Sequence, residues 1–326
     1  MTHAVVRQAT AVAHPNIALV KYWGKRDAAL NLPATGSLSM TLDVFPTSTT
    51  VTVDGSLDAD ALELDGEELS GTPLDRVARF LDLVRALAGA TDKARVVTTN
   101  AVPTGAGLAS SASGFAALAV AASAAYGLDL SPRDLSRLAR RGSGSASRSL
   151  VSGVAVWHAG DGDDTSFAEA TEAPDMAMVI ATVEEREKPI SSRAAMVRTA
   201  ETSPFFPAWV SDTAATLDRM VDACAAHDLD LVGRIAETNA LRMHALIQSC
   251  DPPIRYLTGA SLAVLDRVEA LRAAGTLAYS TIDAGPNVVV LCAPADAERI
   301  AAELADVAST VVARPGPGAR LVETTA

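Results

Sequence analysis

The stretch ARVVTTNAVPTGAGLASSASGFAALAVAASAAYG, residues 94–127, decides how this chain reads. Residues 94–100 have the β-branched character of a strand, residues 103–109 form a glycine-bearing loop, and residues 110–126 form an alanine-rich helix closed by Gly127. Small residues let backbone N–H groups approach an anion closely, and the helix turns its positive end on the same place. Pro103, Gly105, Gly107 and Leu108 are the loop candidates, and Ser110, Ser111 and Ser113 add hydroxyls for a phosphate or a magnesium ion. The G-K-[ST] of the common phosphate loop is missing. A tight strand-to-helix connection without a ligand satisfies the same letters. Residues 96–128 carry no charge and are long enough to span a bilayer. Pro103, Gly105, Gly107 and Gly114 interrupt them, however, and alanine dominates the rest, unlike a spanning helix.

Around this stretch lie 326 residues with 27 Lys and Arg against 39 Asp and Glu, a formal charge of −12. The pI near 4.9 argues against a generic binder of nucleic acid or anionic membrane, since both need a positive field. An anionic ligand therefore requires cations gathered in one place. Apolar residues make up 49% and charged residues 20%, which excludes wholesale disorder. Cys224, Cys250 and Cys292 are odd in number and widely spaced, so neither a disulfide framework nor a metal knuckle is indicated. The first residues lack a long apolar run followed by a cleavage signal, and the expectation is a soluble, cytoplasmic protein.

Periodicity predicts a strand over 48–54 and helices over 72–88 and 131–141, with Pro73 and Pro132 suited to first turns. Strands follow at 151–157 and 176–183. From about residue 184 helices dominate, over 207–227, 229–248 and 258–274. Strands at 278–282 and 288–292 flank the turn DAGPN, a helix is expected over 294–308 and a strand over 309–313. The pattern is α+β, with two units, 1–183 and 184–326.

Four further segments carry candidate chemistry. HPNIALVKYWGKR, residues 14–26, gathers Lys21, Lys25 and Arg26 beside Tyr22, suiting a phosphorylated or carboxylated ligand or a solvated basic edge over Trp23. RRGSGSASRS, residues 140–149, alternates glycines and serines between arginines. Gly142 and Gly144 with Ser143 and Ser145 suit a backbone nest, and Arg148 suits a carboxylate clamp. VEEREKPISSR, residues 183–193, ends in Ser191, Ser192 and Arg193, a weak anion signal alone. In YSTIDAGPN, residues 279–287, Asp283 is either a turn residue or a carboxylate held rigidly at a strand end. There is no HExxH, and His244 reads as a packed or hydrogen-bonded residue. Any metal is expected to arrive with a nucleotide.

Together the segments resemble a family. The phosphate segment resembles the loop of the GHMP kinase superfamily. KYWGKRD with NLPATGSLSMTL downstream, RRGSGSASRSL, KPISSR and TIDAGPN resemble its diphosphomevalonate decarboxylase branch, and NALRMHA (239–245) with Pro252-Pro253 adds a match. Motifs in order over roughly residues 10 to 292 are far more specific than any one of them. The resemblance implies a GHMP-kinase-like two-part α+β fold: a ribosomal-protein-S5-domain-2-like N-terminal part, a ferredoxin-like helical C-terminal part and an active site in the cleft between them. It implies ATP and Mg2+, 5-diphosphomevalonate as substrate, no nucleic acid or membrane partner, and a homodimer.

Carried over by motif, the resemblance sets Asp283 against the substrate's 3-hydroxyl, with Lys21 beside it and Arg148 on the carboxylate. Ser145 would lie near that carboxylate, Ser143 would also contact the substrate, and Tyr22, Lys25, Ser192 and Arg193 would hold the diphosphate with the backbone at Met196. Ser110, Ser111, Ser113 and the 103–109 backbone would cradle the ATP phosphates. Gly105 stands where alanine is more usual, Val151-Ser152 where bulk is usual, and Ser280 where an aromatic is common, so pocket shape stays open. A 5-phosphomevalonate decarboxylase, a 3-kinase and a non-catalytic nucleotide-binding regulator on the same fold are the rival readings.

Overall fold

The computed structural model describes residues 8–101, 110–184 and 190–325. The chain begins with β1 (Gln8–Ala13), β2 (Asn16–Val20), β3 (Lys25–Asp27), β4 (Leu32–Pro33), β5 (Ser37–Thr41), β6 (Thr47–Asp54), β7 (Ala61–Leu64) and β8 (Glu67–Leu69). Next come α1 (Thr72–Ala88), β9 (Lys93–Asn100), α2 (Ser110–Ala125), α3 (Pro132–Gly142), β10 (Val154–Trp157) and β11 (Ala168–Ala170). β12 (Ala177–Thr182) precedes four helices, α4 (Ser192–Thr202), α5 (Phe206–Ala225), α6 (Leu229–Gln248) and α7 (Gly259–Ala273). The chain closes with β13 (Ala278–Ile282), β14 (Val288–Cys292), α8 (Ala297–Leu304), β15 (Ser309–Ala313) and β16 (Arg320–Thr325).

These strands form a six-stranded sheet in the order β16-β1-β6-β9-β7-β8, two four-stranded sheets, β11-β10-β5-β2 and β13-β14-β12-β15, and a ribbon of β3 and β4. β6 shows the sequence logic. Along TSTTVTVD the buried Thr47, Thr49, Val51 and Val53 alternate with half-buried neighbours, so one face can be covered. The helix that covers it is α2, whose alanines approach β1 and β6 closely and pack with Phe80, Leu81 and Val84 of α1. α3 opens as its letters require, with Ser131 Oγ accepting the Asp134 N–H at 3.2 Å and Pro132 in the first turn.

β12 is antiparallel to β14 on one side and β15 on the other and feeds two cores. Met178 and Ile180 join the core under α5 and α6, while Ala177, Val179 and Ala181 join the one under α7 and α8. Ile17, Leu19, Leu38 and Met40 from β2 and β5 enter the first of these cores too. The strand that leads to Lys21 and the sheet that leads to Asp283 therefore rest on common packing.

The elements expected at 72–88, 229–248, 278–282, 288–292 and 309–313 have those bounds. The helix expected over 294–308 is instead a 3-10 turn at Pro294–Asp296 followed by α8, which stops at Leu304. The chain must then reverse to bring β15 alongside β12. Among the described residues no helix is long and apolar enough to cross a membrane.

Candidate active site

β2 ends at Val20, and residues 21–24 carry the chain out of the sheet. Gly24 allows this: its φ of +102° favours glycine, and a Cβ there would lie 2.7 Å from the Phe206 ring. Lys21, only 1% exposed, donates from Nζ to Asp283 Oδ1 at 2.6 Å and to the Ala18 carbonyl at 2.8 Å. Burial lowers its pKa; Asp283 opposes that shift through charge and hydrogen bond, and Arg148 adds to it. The Asp283 side chain stays 38% exposed, so the carboxylate faces the cleft while one oxygen holds the lysine.

The Gly/Ser run after α3 forms the opposite wall. Ser143 closes α3, residues Gly144–Ser147 make a 3-10 turn, and Arg148 follows. A Cβ at Gly144 would meet the Tyr22 ring at 2.8 Å, so this close approach requires glycine. Arg148 is 2% exposed, lies 5.7 Å from the Trp157 ring centroid and donates through Nη1 to Ser37 Oγ. Desolvation pulls it down to about 10, opposed by Asp283, which leaves it charged at neutral pH. Among the described residues, neither its Nε nor the Tyr22 hydroxyl, both buried, has a hydrogen-bond partner. Two orphan donors on one wall mark a place that an anionic ligand would complete.

One cleft of about 500 Å³ is lined by Lys21, Tyr22, Lys25, Ser111, Ser143, Ser145, Arg148, Ser192, Arg193, Met196 and Asp283. The structure thus brings together eleven of the candidate positions from five distant stretches. Ser143 Oγ links Ser111 Oγ at 3.4 Å to Ser145 Oγ at 3.3 Å, joining the start of α2 to the Gly/Ser wall. Ser191 caps α4 by accepting the Ala194 N–H at 3.2 Å, which sets Ser192 and Arg193 at the helix's positive end. Lys25 is pulled down to about 8, by burial first and then by Arg193 and Arg76.

Other candidates lie elsewhere. Ser113 is fully buried with its hydroxyl 2.7 Å from Thr47 Oγ1, away from the cleft lining. Arg26 reaches out to the Gly160 carbonyl at 2.5 Å. Pro103, Gly105, Gly107 and Leu108 lie outside the described residues; Ser110 begins α2. Val151, Ser152 and Ser280, where the chain departs from the resembling pattern, do not line the cleft.

Sequence reasoning missed Arg76, which lines the cleft from α1 and lies 5.1 Å over the Phe115 ring. Its one sequence signal is the i, i+4 spacing from Thr72, another lining residue. Arg76 and Ser111 also border a second, apolar pocket of about 200 Å³ walled by Leu62, Leu69, Val96, Phe115 and Leu118. A cationic trough thus continues into an apolar recess. Among the described residues no group of three or more His, Cys, Asp or Glu is placed to hold a metal ion.

Comparison with known proteins agrees with this geometry. Residues 13–168 match the diphosphomevalonate decarboxylase-like N-terminal domain, and residues 178–314 match the mevalonate 5-diphosphate decarboxylase C-terminal domain. A diphosphomevalonate decarboxylase of Ganoderma lucidum is 38% identical over 312 residues, covering 87% of this chain and 78% of the relative. The solved mevalonate diphosphate decarboxylase of Enterococcus faecalis superposes with a TM-score of 0.92 at 44% identity, over 97% of this chain and 99% of that one. A complex of MDDEF with MVAPP, AMPPCP and magnesium superposes with a TM-score of 0.93 at 45% identity, again over 97% and 99%. This chain belongs to the diphosphomevalonate decarboxylase family.

Proposed function

We propose that this chain converts (R)-5-diphosphomevalonate and ATP to isopentenyl diphosphate, ADP, phosphate and CO2. The observation that carries the reading is the meeting of the Lys21–Asp283 pair with the half-satisfied Arg148 on one cleft. Asp283 faces the 3-hydroxyl and accepts or orients its proton while that oxygen bonds to the γ-phosphorus and ADP leaves. Lys21 stabilises the charge on the transferring phosphoryl group. Phosphate then departs from C3 with the C–O electron pair. The bond to the carboxylate breaks at the same stage, its electron pair forms the new C=C, and CO2 leaves. Arg148 holds that carboxylate, with Ser143 and Ser145 beside it.

The diphosphate tail would lie against Tyr22, Lys25, Ser192, Arg193 and Met196, joined by Arg76. None of Lys25, Arg76 and Arg193 has a carboxylate partner among the described residues. Three such cations favour a diphosphate over a monophosphate tail. The nucleoside would enter the apolar recess beyond Arg76, its phosphates at Ser111, Ser110 and the first turn of α2, with Ser113 behind them. Magnesium, when carried in by the nucleotide, neutralises phosphate charge, and Ser111 offers it a hydroxyl.

The reading includes a two-unit chain divided near residue 183; the two family segments, with their gap at 168 to 178, support two units. β16 then returns to the first sheet. It also includes a homodimer and a cytoplasmic setting; three buried free cysteines suit a reducing compartment. Incubation with ATP, magnesium and either 5-diphosphomevalonate or 5-phosphomevalonate tests the whole. CO2 and ADP in equal amounts from the diphosphate are expected. ADP without CO2 would favour the 3-kinase, preference for the monophosphate the second decarboxylase, and no turnover would refute catalysis.

A further inference from the structure

Helix α6 reaches both halves of the Lys21–Asp283 pair through two side chains that do not line the cleft. Asn239, 1% exposed, accepts the Lys21 backbone N–H on Oδ1 at 2.7 Å. His244, 2% exposed, has Nε2 3.2 Å from the Asp283 backbone carbonyl. A carbonyl only accepts, so Nε2 carries the proton and donates. The same helix is registered on β13 at two more points. Gly233 leaves room for the Tyr279 ring, where a Cβ would collide, and Glu237 Oε1 accepts the Ser280 N–H at 2.9 Å.

Lys21 lies just past the end of β2 and Asp283 just past the end of β13, beyond the ladders that register these strands. The Thr281 hydroxyl ties β13 to β2 by donating to the Ala18 carbonyl at 3.2 Å, and the contacts from α6 act beyond that tie, on the two residues that meet at 2.6 Å. From these contacts we infer that Asn239 and His244 are positioning residues, through which α6 sets the aim of the Lys21 ammonium and the Asp283 carboxylate. This rests on the reading of Lys21 and Asp283 as the phosphoryl-transfer pair. Desolvation holds His244 near 4, so its neutral, donating form persists through neutral pH.

The test compares His244→Phe, which loses the donor, with His244→Gln, whose amide N–H reaches the same carbonyl. A displacement of about 1 Å at the reacting groups costs up to about 100-fold, so His244→Phe should lower kcat about 10- to 100-fold with KM nearly unchanged. His244→Gln should recover most of it. The groups facing Lys21 are Asp283 from the β13–β14 turn, Arg148 from the Gly/Ser wall, and Asn239 and His244 from α6. If Asp283 swings away, Lys21 loses its main stabilising charge, and the basic limb of the kcat–pH profile moves to lower pH. Asn239→Leu should move the same limb, and it carries the test with His244→Gln if His244→Phe fails to fold. Wild-type kcat in His244→Phe would overturn the inference. So would equal losses in the Phe and Gln variants with the basic limb unmoved. Asp283→Asn alongside separates the two claims: if it stays active, the reading of the pair fails. If it is inactive while His244→Phe is normal, only the positioning role falls.

Discussion

Arg85 and Asp60 meet through two parallel hydrogen bonds of 2.9 Å, their side chains 5% and 2% exposed. Lys21 and Asp283 meet through one of 2.6 Å, with the lysine 2% and the carboxylate 38% exposed. Asp60 is closed on every side: it also accepts the Ala94 N–H at 2.9 Å, while Tyr126 lies 3.3 Å from Arg85. The first pair joins α1, the start of β9 and the end of α2, and nothing about it invites a ligand. The second is finished on the lysine side and open on the carboxylate side. Burial alone does not separate a structural ion pair from a reactive one. On the proposed function, the acceptor left facing a cleft does.

The comparison breaks most visibly at Asp60. Asp60→Ala leaves buried Arg85 with only the more exposed Asp82 as carboxylate partner, so the loss falls at the lower end of the about 3–5 kcal/mol that breaking a buried pair costs. The denaturant midpoint should fall sharply while kcat per folded molecule is kept; a proportionate loss of kcat would blur the distinction. Lys21→Met should do the reverse, lowering kcat about 10²–10³-fold, the scale of a lost charge-stabilising donor. Its stability should hold or rise, because the native state depresses the Lys21 pKa and so disfavours the charged form that methionine removes. A large drop in midpoint would make this pair structural too.

Arg148→Ala should lower kcat/KM about 10- to 100-fold, the value of one or two hydrogen bonds to a charged group. An unchanged kcat/KM would count against the carboxylate clamp. The smallest effect is a pH dependence on the open wall. Lys25 sits near 8 in the free protein, so it is charged below that pH and neutral above it. A bound diphosphate raises its pKa again, so binding takes up a proton above about pH 8 and KM rises with pH. Calorimetry in buffers of different ionisation enthalpy reads the uptake, which Lys25→Met should abolish.

What can be read from the chain alone follows the same division between local and distant causes. The bounds of α1, β13 and β14 are local, written in apolar spacing and in the proline and glycine near their ends, and those of α6 in apolar spacing and its Asp228 cap. β16 is exposed along its whole length and owes its place to pairing with β1, some 310 residues earlier, so its letters show no one-sided pattern. Periodicity does not pick out α4, which is weakly marked, with only Ala195, Met196 and Thr199 buried. In the site, Lys21, Arg148 and Asp283 stand in unusual motifs and are legible. Arg76 stands in an ordinary amphipathic helix and is not. Asn239 and His244 stand in the matched NALRMHA segment, but their contacts with the Lys21 N–H and the Asp283 carbonyl arise only when α6 packs on β2 and β13.

Asp283→Asn removes the open carboxylate while keeping its size, and CO2 release from 5-diphosphomevalonate with ATP and magnesium reads the consequence. Turnover should fall about 10²–10⁴-fold, the range of general acid–base catalysis, with nucleotide binding and the denaturant midpoint retained. Near-normal CO2 release from a folded Asp283→Asn protein would contradict the role of the Lys21–Asp283 pair.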